Sequence, residues 1–267
     1  MAIVTVIMSV YNGGKKEMLE QCIKSVLEQS HDELEFIICN DGSTDRTQDI
    51  IEEMCQYDRR IRLINNLANE KASAARNRCI KQAKGEYIAI MDADDYNDLN
   101  RIGVQYSFLK NHAEFDFVGT GAYLFDDSGV WGTRRYVERP EKNNFKFVLP
   151  FVHASVMFRK AALLKVAGYN ESPKVLRSED YDLFMRLYAA GCQGANLEQI
   201  LYYVREDQDA WLRRKYRYRW NEMIVRYEGF KKLKLMPGAW PYVLKPLIVG
   251  LIPQKLLTWM KSKYYNK

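Results

Sequence analysis

Over its first hundred residues the chain alternates short β-like apolar runs with helical patterns in strict turn, and that order leaves few folds open to it. Ile3 to Val10, Leu34 to Asn40, Ile61 to Asn65 and Glu86 to Met91 read as strands, and Glu17 to Gln29, Thr44 to Tyr57 and Lys71 to Lys84 as helices. Such β-α-β units imply a parallel sheet clothed by helices. Ligands of these sheets bind beyond the carboxyl ends of the strands, near the point where strand order reverses. The loops Tyr11 to Lys15, Asp41 to Asp45 and Asp92 to Asp95 all fall at that edge.

The run Gly85-Glu-Tyr-Ile-Ala-Ile-Met-Asp-Ala-Asp-Asp95 delivers Asp92, Asp94 and Asp95 at the end of an apolar strand. Mg²⁺ and Mn²⁺ are hard cations that commonly take one or two carboxylates together with substrate phosphates. A metal-bridged phosphate substrate is one reading of the cluster. The plainer one is that Asp95 or Asp98 caps a helix beginning near Leu99 while the other acids sit in water. In Asp41-Gly-Ser-Thr-Asp45, glycine permits the turn and Ser43, Thr44 or Asp45 can cap the next helix, which leaves Asp41 at the strand tip able to accept a hydrogen bond from a nucleobase.

The second half differs. Phe115 to Val137 reads as short strands punctuated by Gly119 and Gly121, followed by a strand near Phe151 to Arg159 and a helix from Glu179 to Ala190. With 267 residues, 47% apolar and 13% aromatic, the chain can fill a real core. Its five cysteines (Cys22, Cys39, Cys55, Cys79, Cys192) form no C-x-x-C pair, which speaks against a zinc site or a disulfide framework and fits a reducing cytosol. The apolar opening lacks a basic leader and a cleavage site and reads as a first strand, with no secretion signal.

A net charge of +6 hides an asymmetry: from Arg205 onward there are fifteen Lys or Arg against five Asp or Glu, whereas the remainder holds 25 against 29. A basic, aromatic tail points to an anionic surface. Trp240 to Met260 is interrupted by Lys245 and Lys255, too soon for a span of about 20 apolar residues. It reads as an interfacial segment with Trp240, Tyr242 and Trp259 at headgroup depth, or as a helix packed on the domain or on a second copy.

Taken in order, Val6-Ile-Met-Ser-Val-Tyr-Asn12, Asp41-Gly-Ser-Thr-Asp45, Ala74-Ala-Arg-Asn77, Gly85-Glu-Tyr-Ile88, Asp92-Ala-Asp-Asp95, His153-Ala-Ser-Val-Met-Phe-Arg159 and Glu179-Asp180 resemble a family 2 glycosyltransferase over roughly the first 205 residues. The resemblance implies an α/β GT-A fold, with a Rossmann-like, mostly parallel sheet. Residues 1–98 would form a nucleotide-binding half and 99–205 an acceptor-side half, with 206–267 as a helical extension. Ser9, Tyr11 and Asp41 would hold the base and ribose of a nucleotide-sugar, and Arg76 would lie near the nucleotide. Asp92 and Asp94 match the family's D-x-D pair, with Asp94 the direct ligand of Mn²⁺ or Mg²⁺. His153, at the start of its strand, would face the diphosphate or sugar; Asp180 would be the catalytic base, with Glu179 supporting it or binding acceptor.

Two departures stand out. Tyr202-Tyr-Val-Arg205 places Arg205 where the family often has histidine, and arginine can still contact diphosphate. Tyr216-Arg-Tyr-Arg-Trp220 misses the first position of the Q-x-x-R-W or R-x-x-R-W motif of processive synthases, which favours single-sugar transfer. The expectation is therefore an inverting, metal-dependent transferase moving one sugar from a UDP-sugar or dTDP-sugar to a saccharide acceptor on a polyprenyl diphosphate. It would act in bacterial surface-polysaccharide assembly, cytoplasmic and peripheral at the inner membrane face. Residues 231–267 would touch anionic lipid or pair two copies, and nucleic acid is not an expected partner. A nucleotidyltransferase, for which Tyr11-Asn-Gly-Gly-Lys-Lys16 is a faint match to a basic Gly-rich loop, and a non-catalytic nucleotide- or membrane-binding scaffold are the alternatives.

Overall fold

The structure, a computed structural model, describes residues 4–206 and 216–251. Its first half runs β1 (Val4–Val10), α1 (Lys16–Leu27), β2 (Leu34–Asn40), α2 (Thr47–Tyr57), β3 (Ile61–Asn65), α3 (Ala72–Gln82) and β4 (Tyr87–Asp92). There follow β5 (Tyr96–Asn97), α4 (Arg101–Asn111), β6 (Phe117–Asp126), β7 (Gly129–Arg134), β8 (Met157–Arg159), α5 (Lys160–Lys165), α6 (Glu179–Ala189) and β9 (Gly194–Arg205). Helices α7 (Arg217–Lys232) and α8 (Trp240–Gly250) complete the order.

One sheet carries everything, in the order β3-β2-β1-β4-β8-β6-β9-β5 with β7 beside β6. Strands β3, β2, β1 and β4 are mutually parallel, as the alternation requires. Because β1 lies between β2 and β4, the strand order reverses there and opens a crevice at its carboxyl end.

Side chains alternate across the sheet, and the two faces bury separate cores. Val4, Val6, Met8 and Val10 face α1, α2 and α4, while Ile7 faces α3, α5 and α6. Helix α1 shows why it docks: Leu19, Cys22, Ile23 and Val26 fall on one stripe and are buried. Each fully buried aliphatic side chain of this size contributes roughly 1.5–3 kcal/mol. By the same alternation Ser9, Asp41 and Asp92 share the parity of Ile7, Cys39 and Ile90, and so project toward the α3 and α6 side.

The second half departs from the sequence reading in two places. The strand expected over Phe151 to Arg159 shrinks to β8, preceded by a 3₁₀ turn at His153–Ser155. The carbonyls of that turn are taken by side chains of α4: Arg101 donates to Ala154 O at 3.1 Å and Gln105 to Ser155 O at 2.8 Å. His153 therefore sits on a turn rather than at the start of a strand. Phe115 to Val137 forms one long strand and a hairpin rather than several short strands. Gly119 and Gly121 mark its irregular pairing with β9 instead of ends, and a Cβ at Gly119 would lie 2.7 Å from Asn196 Oδ1.

Helices α7 and α8 pack onto α6 and extend its core through Val225, Phe230, Leu233, Ala239 and Val243. The tail expectations resting on Lys255 and Trp259 lie outside the described residues.

Arg101 ties the halves together. It is fully buried, stacks on Tyr202 at 4.7 Å and donates to Asn97 Oδ1 (2.6 Å), Gln105 Oε1 (3.0 Å), Ile90 O (2.9 Å) and Ala154 O. Arg101→Leu leaves these acceptors without their donor and should lower the unfolding free energy by roughly 3 kcal/mol or more, read from the guanidinium denaturation midpoint. Arg101→Lys keeps charge without the planar fork and should recover only part of that.

Candidate active site at the carboxyl edge of the sheet

The β1–α1 and β2–α2 loops are bonded to one another at the carboxyl edge of the sheet. Asn12, at φ 51°, donates its N–H to Ser43 Oγ (3.0 Å) and accepts from the Thr44 N–H (2.9 Å), while the Gly13 N–H reaches Thr47 Oγ1 at 2.7 Å. Asp45 accepts from the Thr47 N–H at 3.0 Å in a turn leading into α2, whose N-cap residue is Arg46 and carries no side-chain cap bond, so none of Ser43, Thr44 and Asp45 is its N-cap. Ser9 is half-buried, aligned with Cys39 on one side and Asp92 on the other, and Tyr11 is 48% exposed at the rim. Asp41 is buried beneath the segment 66–71: it accepts from Asn66 Nδ2 (2.8 Å), Glu70 N–H (3.0 Å) and Lys71 N–H (2.9 Å). Those bonds hold the segment 66–71 against the end of β2.

The centre of the site forms around Tyr169, which the sequence reading passed over. Arg76, buried on α3, pairs with Asp92 at 2.7 Å and lies over the Tyr169 ring at 5.5 Å. The Tyr169 hydroxyl and His153 Nε2 are 2.7 Å apart. Asn77, next to Arg76, fixes the tyrosine backbone by accepting from its N–H and donating to its carbonyl, both at 2.8 Å. Ala167 and Gly168, both at positive φ, turn the chain after α5 so that Tyr169 reaches this position; the Ala-Gly pair closing a short helix was the one signal available in the sequence.

Electrostatics place the later acids at the same centre. Burial pushes the Tyr169 hydroxyl up, Arg76 opposes this, and the carboxylates of Asp92, Asp180 and Glu179 reinforce it. Burial works against the Arg76 charge, but Asp92, Tyr169 and Glu179 outweigh it and hold the guanidinium above its usual value. Burial and Arg76 push the His153 imidazole down to about 3 against the pull of Asp92, so it is neutral at physiological pH. Asp180 accepts from the Tyr181 N–H at 2.7 Å at the mouth of α6. Glu179 Oε2 and Arg76 Nε are buried without a hydrogen-bond partner among the described residues. An orphaned acceptor and an orphaned donor in one neighbourhood suit a ligand that supplies both partners.

The acidic loop lies beside this centre. Asp94 is exposed, and Asp95 is buried, accepting the Arg205 N–H at 2.7 Å. Burial and the charges of Asp94 and Asp92 push the Asp95 carboxyl well above its usual range. Burial acts on Asp92 in the same direction, but Arg76, through its charge and its hydrogen bond, prevails and holds the carboxyl below its usual value. Among the described residues no three His, Cys, Asp or Glu side chains converge as a ligand set. Two carboxylates, with phosphate oxygens and water completing the shell, are nevertheless a usual complement for Mg²⁺ or Mn²⁺, and a cation would relieve the crowding felt by Asp95. The Arg205 guanidinium reaches Asp127 on the β6–β7 turn at 2.9 Å and lies over Phe125 at 5.2 Å.

Residues 5–167 match the family model described as Glycosyl transferase family 2, and residues 87–265 that of Glycosyl transferase family group 2. EpsE of Bacillus subtilis (strain 168), named as a glycosyltransferase, is 37% identical over 99% of this chain and 93% of its own length. WfaP of Escherichia coli is 31% identical over 77% of this chain and 78% of its own, and is named as a UDP-Glc:α-D-GlcNAc-diphosphoundecaprenol β-1,3-glucosyltransferase. Among solved structures, residues 1–349 of S. aureus TarS with UDP-GlcNAc superpose with a TM-score of 0.71 at 17% identity, over 97% of this chain and 79% of that one, a likeness of fold.

Two measurements check this geometry. His153 should show no imidazole titration by NMR between pH 5 and 8. Because its folded-state value lies below the unfolded one of about 6.5, the unfolded chain takes up the proton first, and the histidine's contribution to stability is lost as pH falls from that value toward 3. His153→Gln should flatten that acid limb in denaturation curves. Tyr169→Phe keeps the ring under Arg76 but removes the hydroxyl from His153, and should raise the His153 pKa or broaden its resonance while leaving the fold intact.

Proposed function

The chain belongs to glycosyl transferase family 2, and on that footing we propose that it moves a single sugar, with inversion, from a UDP-sugar or dTDP-sugar to a hydroxyl of a saccharide carried on a polyprenyl diphosphate, in the assembly of a bacterial surface polysaccharide. One observation supports the reading most: Arg76 pairs with Asp92 at 2.7 Å and lies over the Tyr169 ring, and the carboxylates of Asp92, Asp180 and Glu179 all bear on the hydroxyl of that same tyrosine. The acceptor class draws support from WfaP, whose name specifies a diphosphoundecaprenol-linked acceptor, and the nucleotide from the UDP-GlcNAc bound by TarS.

In the proposed reaction Asp180 accepts the proton of the acceptor hydroxyl as its oxygen attacks the anomeric carbon, and the nucleoside diphosphate leaves unprotonated. One carboxylate base is enough for this chemistry, whereas a glycosidase needs an acid and a second carboxylate flanking the bond. Asp94 and Asp92 would hold a divalent cation, which as a Lewis acid meets the growing charge on the leaving diphosphate. Arg76 keeps Asp92 ionised and pointed, and neutral His153 leaves no extra positive charge to compete with the cation. Ser9, Tyr11 and the segment that Asp41 holds would position base and ribose. Glu179, whose Oε2 has no hydrogen-bond partner among the described residues, suits an acceptor hydroxyl donor.

A screen of nucleotide-sugars with and without EDTA identifies the donor, and ¹H NMR of the product reads the anomeric configuration, which should be opposite to that of the donor. Asp180→Asn should bind UDP normally yet lose kcat by about 10²–10⁴-fold, the usual range for a general base; unchanged turnover removes the base. Asp94→Ala should abolish the dependence of UDP affinity on Mn²⁺ in calorimetric titration, and an unaltered metal dependence counts against it as ligand.

A further inference from the structure

Helix α8 is buried on the side that a surface helix exposes least and apolar on the side it exposes most. Its inner positions Val243 and Pro246 pack on α7, while Trp240 (47% exposed), Leu244 (43%), Ile248 (60%) and Leu251 (75%) fall on one outward stripe at helical spacing. A second exposed apolar pair lies beside α8, on the loop before the 3₁₀ turn. Phe147 and Val148 are both exposed, the Phe147 ring meets Tyr242 edge-on at 5.2 Å, and Lys245 Nζ donates to Phe147 O at 2.8 Å. Contiguous exposed apolar surface of this kind marks an interaction site.

Charge selects the partner. Lys231, Lys232 and Lys234 are exposed where α7 turns toward α8, and from Gly229 to the end the sequence has eight lysines and no aspartate or glutamate. A two-fold pair of copies would bring the same patch against itself, setting lysines against lysines. No helix among the described residues is long and apolar enough to cross a membrane. An apolar stripe on a helix entered through a lysine-bearing turn suits a helix lying in the plane of an anionic bilayer, its ring and aliphatic groups among the acyl boundary and the ammonium groups at the headgroups.

We infer that the outward face of α8, with Phe147 and Val148, is the surface by which this enzyme lies on an anionic lipid bilayer. The surface is framed on the acceptor end of the site. Arg226 of α7 stacks on the ring of Tyr181 at 4.9 Å and donates to Lys146 O at 3.2 Å, and Tyr181 follows Asp180 directly. Lipid contact and acceptor carboxylate thus share one frame, as a lipid-linked acceptor requires. Its purpose rests on the acceptor reading above, but vesicle binding is measured without turnover, so failure of one leaves the other standing.

The test is co-sedimentation of the full chain with vesicles of phosphatidylglycerol and phosphatidylcholine, against phosphatidylcholine alone. The expected result is binding to the anionic vesicles that weakens with salt. It should fall at least ten-fold in Leu244→Glu/Ile248→Glu and in Lys231→Glu/Lys232→Glu/Lys234→Glu, with UDP affinity unchanged in both. Equal sedimentation of the wild type and the Leu244→Glu/Ile248→Glu variant overturns the assignment. So does a concentration-dependent dimer, seen by light scattering, that this variant abolishes while the wild type ignores vesicles.

Discussion

A single guanidinium buried behind the acidic loop is what the rest of the molecule is built around. Arg101 holds the carbonyl of Ile90 near the end of β4, that of Ala154 on the His153 turn, the side chain of Asn97 on β5 and the ring of Tyr202 on β9. Burial drives its pKa down to about 10, while Tyr202, Asp95 and Asp92 support the charge, so it remains a cation at neutral pH. An uncompensated buried charge would be costly. Here the nearby carboxylates offset it, and it in turn makes the density of acids at the strand ends tolerable.

From that anchor the site assembles by alternation and contact. Sheet parity points Ser9, Asp41 and Asp92 toward α3 and α6. Arg76 meets Asp92 there, and Tyr169 fills the space between that pair and the acids of α6. The arrangement separates the fates of neighbouring carboxylates: Asp92 is held ionised by Arg76, whereas Asp95, buried beside its own kind, resists ionisation. Three acids within four residues thereby have three environments, exposed at Asp94, paired at Asp92 and crowded at Asp95.

The parallel strands were legible in the sequence because their signal is local: each is a short apolar run ended by turn residues, and the carboxylates that matter sit at those ends. Helix boundaries were less so. The helix read from Thr44 begins at Thr47, after a loop in which the Ser43 N–H goes to Asn40 Oδ1 and the Thr44 N–H to Asn12 Oδ1, long-range partners that no local pattern announces. Arg101 and Tyr169 were invisible for a different reason. Both act through groups more than ten residues away, Arg101 on Ala154 and Tyr169 on Arg76, and nothing in their local sequence distinguishes them from a helix arginine or a core tyrosine. The strand expected at His153 failed for the same cause, since its carbonyls were claimed by α4.

The acidic loop is clamped on both flanks, by β4 on one side and by the pairing of β5 with β9 on the other, and Tyr96 stacked on Tyr203 at 4.3 Å tightens the second clamp. A reaction centre fixed at both ends by the sheet is insulated from drift in the segments that merely border it. Substitutions in those bordering segments can thus reshape what sits against the loop while its carboxylates keep their places.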